Sequence, residues 1–314
     1  MAKKKSFKVA AVQDSPVFLN KKATVEKVCE LVVKASAQGA KLIVFPEGFI
    51  PAYPDWVWVV PPYKKPILDE MYSELLENAV SIPDDATKKL AAAAKMNKIF
   101  IAIGVNEKNS EASNASLFNT LLYFDDKGNI MGKHRKLIPT GAERLVWSQG
   151  DGSTLNSFDT PFGKLSGLLC WENFMPLARN AVYSWGTQIH VTPTWDSSEA
   201  WLNGMKFIAK EGGMFLVNSC QAIHLKDIPN KYEFKKLYPE GKEWLNPGNS
   251  CIINPKGQFI AEPLKAKKSI IYADINMDLI ASSKWIFDVT GHYARPDVFK
   301  FSINQKPNKI MSKE

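Results

Sequence analysis

Three features of the sequence predict an α/β fold, in which helices cover a mixed β-sheet. Short apolar runs of strand length alternate with stretches of helical periodicity, several runs stop abruptly at loops, and a few are joined by hairpin turns. No Ser/Gly-rich or charge-dense bridge divides the 314 residues, so one domain over residues 1–300 is expected, followed by a short basic tail over 301–314. The pattern alone leaves open whether the layers number three or four.

The elements follow in order. Lys8 to Gln13 reads as a first strand, and Ala23 to Gln38 as a helix with Val25, Val28, Cys29, Val32 and Ala35 at helical spacing, stopped by Gly39. Lys41 to Phe45 is a continuous apolar strand that breaks at Pro46-Glu47-Gly48. Prolines and aromatics crowd Pro51 to Pro66, which predicts an ordered loop able to wall an apolar pocket. A helix from about Asp84 to Asn97 precedes a strand over Ile99 to Val105. Leu117 to Phe124 and Ile130 to Lys136 form a hairpin about Asp125-Asp126-Lys127-Gly128-Asn129. Lys164 to Leu169 is a strand running into Cys170-Trp171-Glu172-Asn173, with a helix over Pro176 to Trp185 closed by Gly186. Gln188 to Thr192, Ser198 to Gly212 and Phe215 to Ser219 repeat the alternation as strand, helix and strand. Cys251 to Ile260 and Ser269 to Ile275 are the last two strands.

Composition excludes several classes. With 45% hydrophobic residues the chain can enclose a large core, so it is neither disordered nor fibrous. No apolar run approaches the roughly 20 residues of a membrane span. No signal-peptide core follows Met1 to Ser6, and a soluble, cytoplasmic protein without a membrane partner is expected. Cys29, Cys170, Cys220 and Cys251 are too widely spaced for a zinc ribbon or CxxC pair and too few for a disulfide scaffold, so reduced thiols are expected. Cys29, Cys220 and Cys251 sit in apolar periodic segments and read as small buried hydrophobes. The net charge of +8 is scattered over Lys3 to Lys5, Lys235-Lys236, Lys265, Lys267-Lys268 and the tail around Lys306, Lys309 and Lys313. That distribution is a solvated surface, and no nucleic-acid partner is expected. The four histidines lack a second ligand at metal-site spacing, so neither a metal nor another cofactor is expected.

Three reactive side chains fall at strand ends, where an α/β sheet gathers its chemistry: Glu47, Lys136 and Cys170. A cysteine attacks as thiolate, so it needs a cation or helix N-terminus to lower its pKa, or a base to take its proton. Lys136, the helix opening after Cys170, and Glu47 would supply all three. Residue type alone does not decide the matter, because a chain with 40 basic and 32 acidic residues places such groups at strand ends by chance.

The neighbouring residues do decide. Phe45-Pro46-Glu47-Gly48-Phe49, Lys133-His134-Arg135-Lys136-Leu137-Ile138-Pro139-Thr140 and Cys170-Trp171-Glu172-Asn173 resemble, in order, the general-base, lysine and nucleophile segments of the nitrilase superfamily. Glu143-Arg144, Trp147, Gly150-Asp151-Gly152 and Gly291-His292-Tyr293-Ala294-Arg295-Pro296-Asp297 extend the resemblance toward its true nitrilase branch. The resemblance implies a four-layer αββα sandwich that hydrolyses a nitrile to a carboxylic acid and ammonia. Glu47 would be the general base, Lys136 the electrostatic stabiliser and Cys170 the nucleophile. Glu143 matches a second glutamate that holds the lysine or a water; its plainer reading is an exposed ion pair with Arg144 or a lysine. Tyr53, Trp171 and Trp195 would bind substrate by analogy with similar placements, though Tyr53 and Trp195 serve equally well as core. The proposed chemistry uses no imidazole, and His190 and His224 read as structural. The partners implied are a small nitrile, water and at least one further copy of the chain, packed through the apolar helix Leu177 to Trp185. The short tail after Asp297 argues against long filaments.

Other readings compete. An amidase, carbamoylase or cyanide-converting enzyme would use the same trio, but Leu137-Ile138-Pro139-Thr140 and Trp171-Glu172 favour nitriles over amides. A non-catalytic scaffold has no reason to keep all three reactive residues. A basic nucleic-acid binder is the third alternative.

Overall fold

The computed structural model describes residues 6–309, so Lys3 to Lys5, Lys313 and the end of the expected tail lie outside it. One sheet contains β1 (Ser6–Gln13), β2 (Ala40–Val44), β3 (Phe100–Lys108), β4 (Leu117–Phe124), β5 (Ile130–Arg135), β6 (Trp147–Ser148) and β14 (Ser269–Asn276). Its spatial order is β14-β1-β2-β3-β4-β5, with β6 beside β4. The second contains β7 (Ser157–Thr160), β8 (Gly163–Gly167), β9 (Ile189–Thr194), β10 (Phe215–Cys220), β11 (Ala222–His224), β12 (Trp244–Ile253) and β13 (Phe259–Lys265). Its order is β11-β12-β10-β9-β8-β7, with β13 beside β12.

The sheets face each other because their central strands are apolar on both sides. In β1, Val9 and Ala11 join Leu42, Leu121, Ile189 and Val217 in a core between the sheets. The alternate residues Ala10 and Val12 pack outward, with Ile43 and Ile101, against α1 (Lys21–Ala37) and α3 (Asp85–Asn97). On the far side, Leu216 and Ile253 meet α4 (Pro176–Ser184) and α5 (Glu199–Gly212) through Val182, Met205 and Ile208. Helices, sheet, sheet and helices make the expected four layers.

Helix ends follow local chemistry. The Asn20 side chain accepts from Ala23 N at 3.0 Å to open α1, and Asp84 and Thr87 form a reciprocal capping box at α3. Three expectations change. The proline-rich loop is shorter than expected: a 3₁₀ turn occupies Asp55–Trp58, and a helix, α2 (Lys65–Glu77), begins with Pro66 in its first turn. Proline suits that position because its missing N–H has no partner to lose. The strand expected over Cys251 to Ile260 is two strands, β12 and β13. Asn254 closes the turn between them by accepting from Lys256 N and Gln258 N, where Pro255 and Gly257 interrupt the ladder. A short helix, α6 (Asp278–Lys284), follows β14, and no helix among the described residues is long and apolar enough to cross a membrane.

Candidate active site

β2, β5 and β8 all end at the same edge of the sandwich, which brings the segments after them together. Beyond β2 the chain folds across β3, with Phe45 N donating to Ala102 O and Ile50 N to Gly104 O. A Cβ at Gly104 would lie 2.4 Å from Pro46 O and 2.7 Å from Glu47 Cα, so only glycine lets the Glu47 backbone come this close. Lys136 follows β5, its N–H donating to Asn119 O and its carbonyl accepting from Gly150 N, each at 2.8 Å. Cys170 follows β8 with φ +50°, a left-handed conformation that costs a non-glycine residue about 1–3 kcal/mol. Asn173 holds the turn by donating to Cys170 O at 2.8 Å and Leu168 O at 3.0 Å. His190 Nε2 lies 2.8 Å from Asn173 Oδ1, and its Nδ1 lies 3.0 Å from Ser166 Oγ. Burial lowers the pKa of His190 to about 3, so the ring is neutral and donates to Asn173.

Lys136 Nζ lies 2.8 Å from Glu47 Oε1 and 2.7 Å from Glu143 Oε2, and all three side chains are buried. Asn119 Nδ2 donates to the same Glu47 oxygen at 2.7 Å, while Glu47 Oε2 has no hydrogen-bond partner among the described residues. Burial, assisted by the Glu143 charge and opposed by Lys136, raises the Glu47 carboxyl to about 7. Desolvation and the Glu47 charge raise the Cys170 thiol to about 12 against the pull of Lys136. Burial in this site thus disfavours the thiolate. The expected helix N-terminus after Cys170 is instead a 3₁₀ turn, Cys170–Phe174, with α4 starting only at Pro176. Glu143 is buried, which removes the exposed Arg144 pairing as its role; Arg144 Nε donates to Pro139 O.

An open cleft of about 650 Å³ reaches this cluster, lined by Tyr53, Glu143, Cys170, Trp171 and Trp195 among others. Tyr53 and Trp195 stack with ring centroids 4.2 Å apart and planes 3° apart. The Tyr53 hydroxyl donates to Glu143 Oε1 at 2.7 Å and accepts from Trp58 Nε1 at 3.1 Å, so Tyr53 braces the carboxylate as well as lining the cleft. Trp171 is 50% exposed at the mouth, its indole N–H donating to Asp196 Oδ2 at 2.8 Å. Thr194 Oγ1 donates to the Cys170 sulfur at 3.2 Å.

Residues 8–284 match the family model for carbon-nitrogen hydrolases. The chain belongs to the carbon-nitrogen hydrolase family. It is 38% identical to Nitrilase 1 of Arabidopsis thaliana over 97% of this chain and 89% of that protein. To an aliphatic nitrilase of Sinorhizobium fredii it is 39% identical, over 97% of this chain and 98% of the relative. The solved structure of Saccharomyces cerevisiae Nit3, a member of branch 10 of the nitrilase superfamily, superimposes with TM-score 0.71 at 20% identity over 92% of this chain and 96% of that one.

Several residues of this carbon-nitrogen hydrolase site escaped the sequence reading. Asn119 lies mid-strand in β4, its side chain committed to Glu47, and Gln221 Nε2 donates to Glu47 O at 2.8 Å from beyond β10. Glu172 and His134 lie inside recognised motifs yet were assigned no role; they pair across the two sheets at 3.1 Å. A polar residue inside a strand with both faces buried is the signal that would have singled out Asn119.

Proposed function

We propose that this carbon-nitrogen hydrolase is a nitrilase, converting a nitrile and two waters to a carboxylic acid and ammonia. The observation that carries the reading is the Lys136 ammonium clamped between Glu47 and Glu143 beside Cys170, in a chain 38–39% identical to two nitrilases over nearly its whole length. Glu47 Oε2, buried and unpartnered, accepts the Cys170 proton as the sulfur attacks the nitrile carbon. Lys136 gives a proton to the nitrogen that gains charge and recovers one from Glu47, leaving a neutral thioimidate and an ionised Glu47, with the Trp171 backbone N–H as a second donor. A water deprotonated by Glu47 adds to the thioimidate. Loss of ammonia leaves a thioester, and a second water releases the acid. Loss of the thiol before ammonia would give an amide instead. Glu143 keeps Lys136 in place, and Trp171 and Trp195 contact the substrate.

Two further parts belong to the proposal. Leu177 on α4 is 70% exposed and Phe207 on α5 is 57% exposed, an apolar outer face that suits pairing of two copies. The four free thiols suit a reducing compartment, and a cytoplasmic location is part of the reading. Ammonia release from a panel of nitriles and their matching amides tests the activity. Nitriles should yield acid and ammonia, and Cys170→Ala should lower turnover by about 10⁴-fold or more. Activity confined to amides, or turnover undiminished without the sulfur, would overturn the reading.

A further inference from the structure

We propose that Glu172 is a positioning residue that fixes the spacing between the Lys136 ammonium and the Cys170 sulfur, with His134 as its partner. The inference rests on reading Lys136 and Cys170 as the reacting groups. These two groups come from different sheets. Lys136 follows β5 in the first sheet and Cys170 follows β8 in the second, and no hydrogen-bonded ladder joins the two sheets. Apolar packing between sheet faces is non-directional, so by itself it holds two side chains loosely along the interface.

Hydrogen bonds such as Ser219 Oγ to Val12 O cross between the sheets elsewhere; Glu172 supplies a directional link at the two reactive residues themselves. Its Oε1 accepts from Leu137 N at 2.6 Å and its Oε2 from Leu169 N at 2.8 Å. Leu137 directly follows Lys136, and Leu169 directly precedes Cys170. His134 Nε2 lies 3.1 Å from both carboxylate oxygens and is itself two residues before Lys136. One carboxylate thus ties the backbone just after Lys136 to the backbone just before Cys170, and Glu172 and His134 are both buried at 2% exposure. A carboxylate accepts on both oxygens at once, whereas an amide would turn an N–H against a backbone N–H. Against the opposing effect of burial, the His134 ring and these hydrogen bonds hold the Glu172 carboxyl below its ordinary pKa. A buried polar pair is weak support for stability alone, since apolar residues of like volume often do as well. Its placement next to both reactive residues accounts for it better.

Glu172→Gln, Glu172→Asp and Cys170→Ala, assayed together, test the proposal. In Glu172→Gln, kcat should fall about 10²-fold through misplacement of the reacting groups, with KM within about twofold of the parent. Alkylation of Cys170 by iodoacetamide should slow in parallel, because the thiolate loses its fixed ammonium. Glu172→Asp, which keeps both acceptor oxygens, should recover part of both. Unchanged kcat in folded Glu172→Gln, a loss confined to KM, or a kcat loss without slower alkylation would overturn the proposal. If Glu172→Gln does not fold, His134→Gln, which keeps a donor, is compared with His134→Phe, which does not. A kcat loss in the phenylalanine variant alone is expected, and equal kcat in the two overturns the idea. Undiminished turnover in Cys170→Ala would instead sink the underlying reading of the nucleophile.

Discussion

The Glu47 carboxylate carries the clearest pH signature in the cleft. As the proposed base it would act only when ionised, and burial raises its pKa to about 7, so kcat/KM should climb as pH rises through about 7 and fall away below it. Because the Glu143 charge contributes to that upward shift, Glu143→Gln should move the acid limb to lower pH even while it lowers kcat. A pH–rate profile of the two proteins checks both points, and a limb that stays put or moves up would contradict the assignment. Glu47, Lys136, Glu143 and Cys170 could be singled out as candidates in the sequence because each stands in a contiguous motif. Asn119, Gln221 and the Glu172–His134 pair could not, because their importance lies in contacts across 38 to 174 residues of chain. Such contacts leave no mark on local spacing.

At the scale of elements, the Glu47 segment depends on how closely it lies on β3. Gly104→Ala would drive a methyl group into the Pro46 carbonyl and the Glu47 backbone. Overpacking of this kind costs about 1–3 kcal/mol, and the displaced carboxylate should lower kcat as well, measured by urea unfolding and steady-state assay. A variant with parental stability and kcat would show that the loop yields freely. Strand and helix positions were largely legible from periodicity: β4 was bounded correctly, and α3 and α5 within a residue. The second strand of the β12–β13 hairpin was hidden because two apolar strands joined by a tight turn read as one run. α2 was hidden because the aromatic and proline crowding before it masked its start.

For the whole molecule, the exposed α4 and α5 face predicts at least a dimer. Light scattering at micromolar concentration should give a multiple of the monomer mass, and Leu177→Glu with Phe207→Glu should shift it to the monomer. A monomeric parent would remove the proposal. The layered architecture was only half legible: alternation of strands and helices predicts α/β, while the number of sheets depends on which strands pair.

The sequence by itself determined the element types, the buried strands and the candidate residues at their ends, because these follow from side-chain periodicity and contiguous motifs. The tertiary structure alone decided which sheet each strand joined, which oxygen of Glu47 stayed free, and that Cys170 would sit at φ +50° where burial raises its pKa. Those properties arise from desolvation and from hydrogen bonds between distant segments, and these exist only once the two sheets have closed on each other.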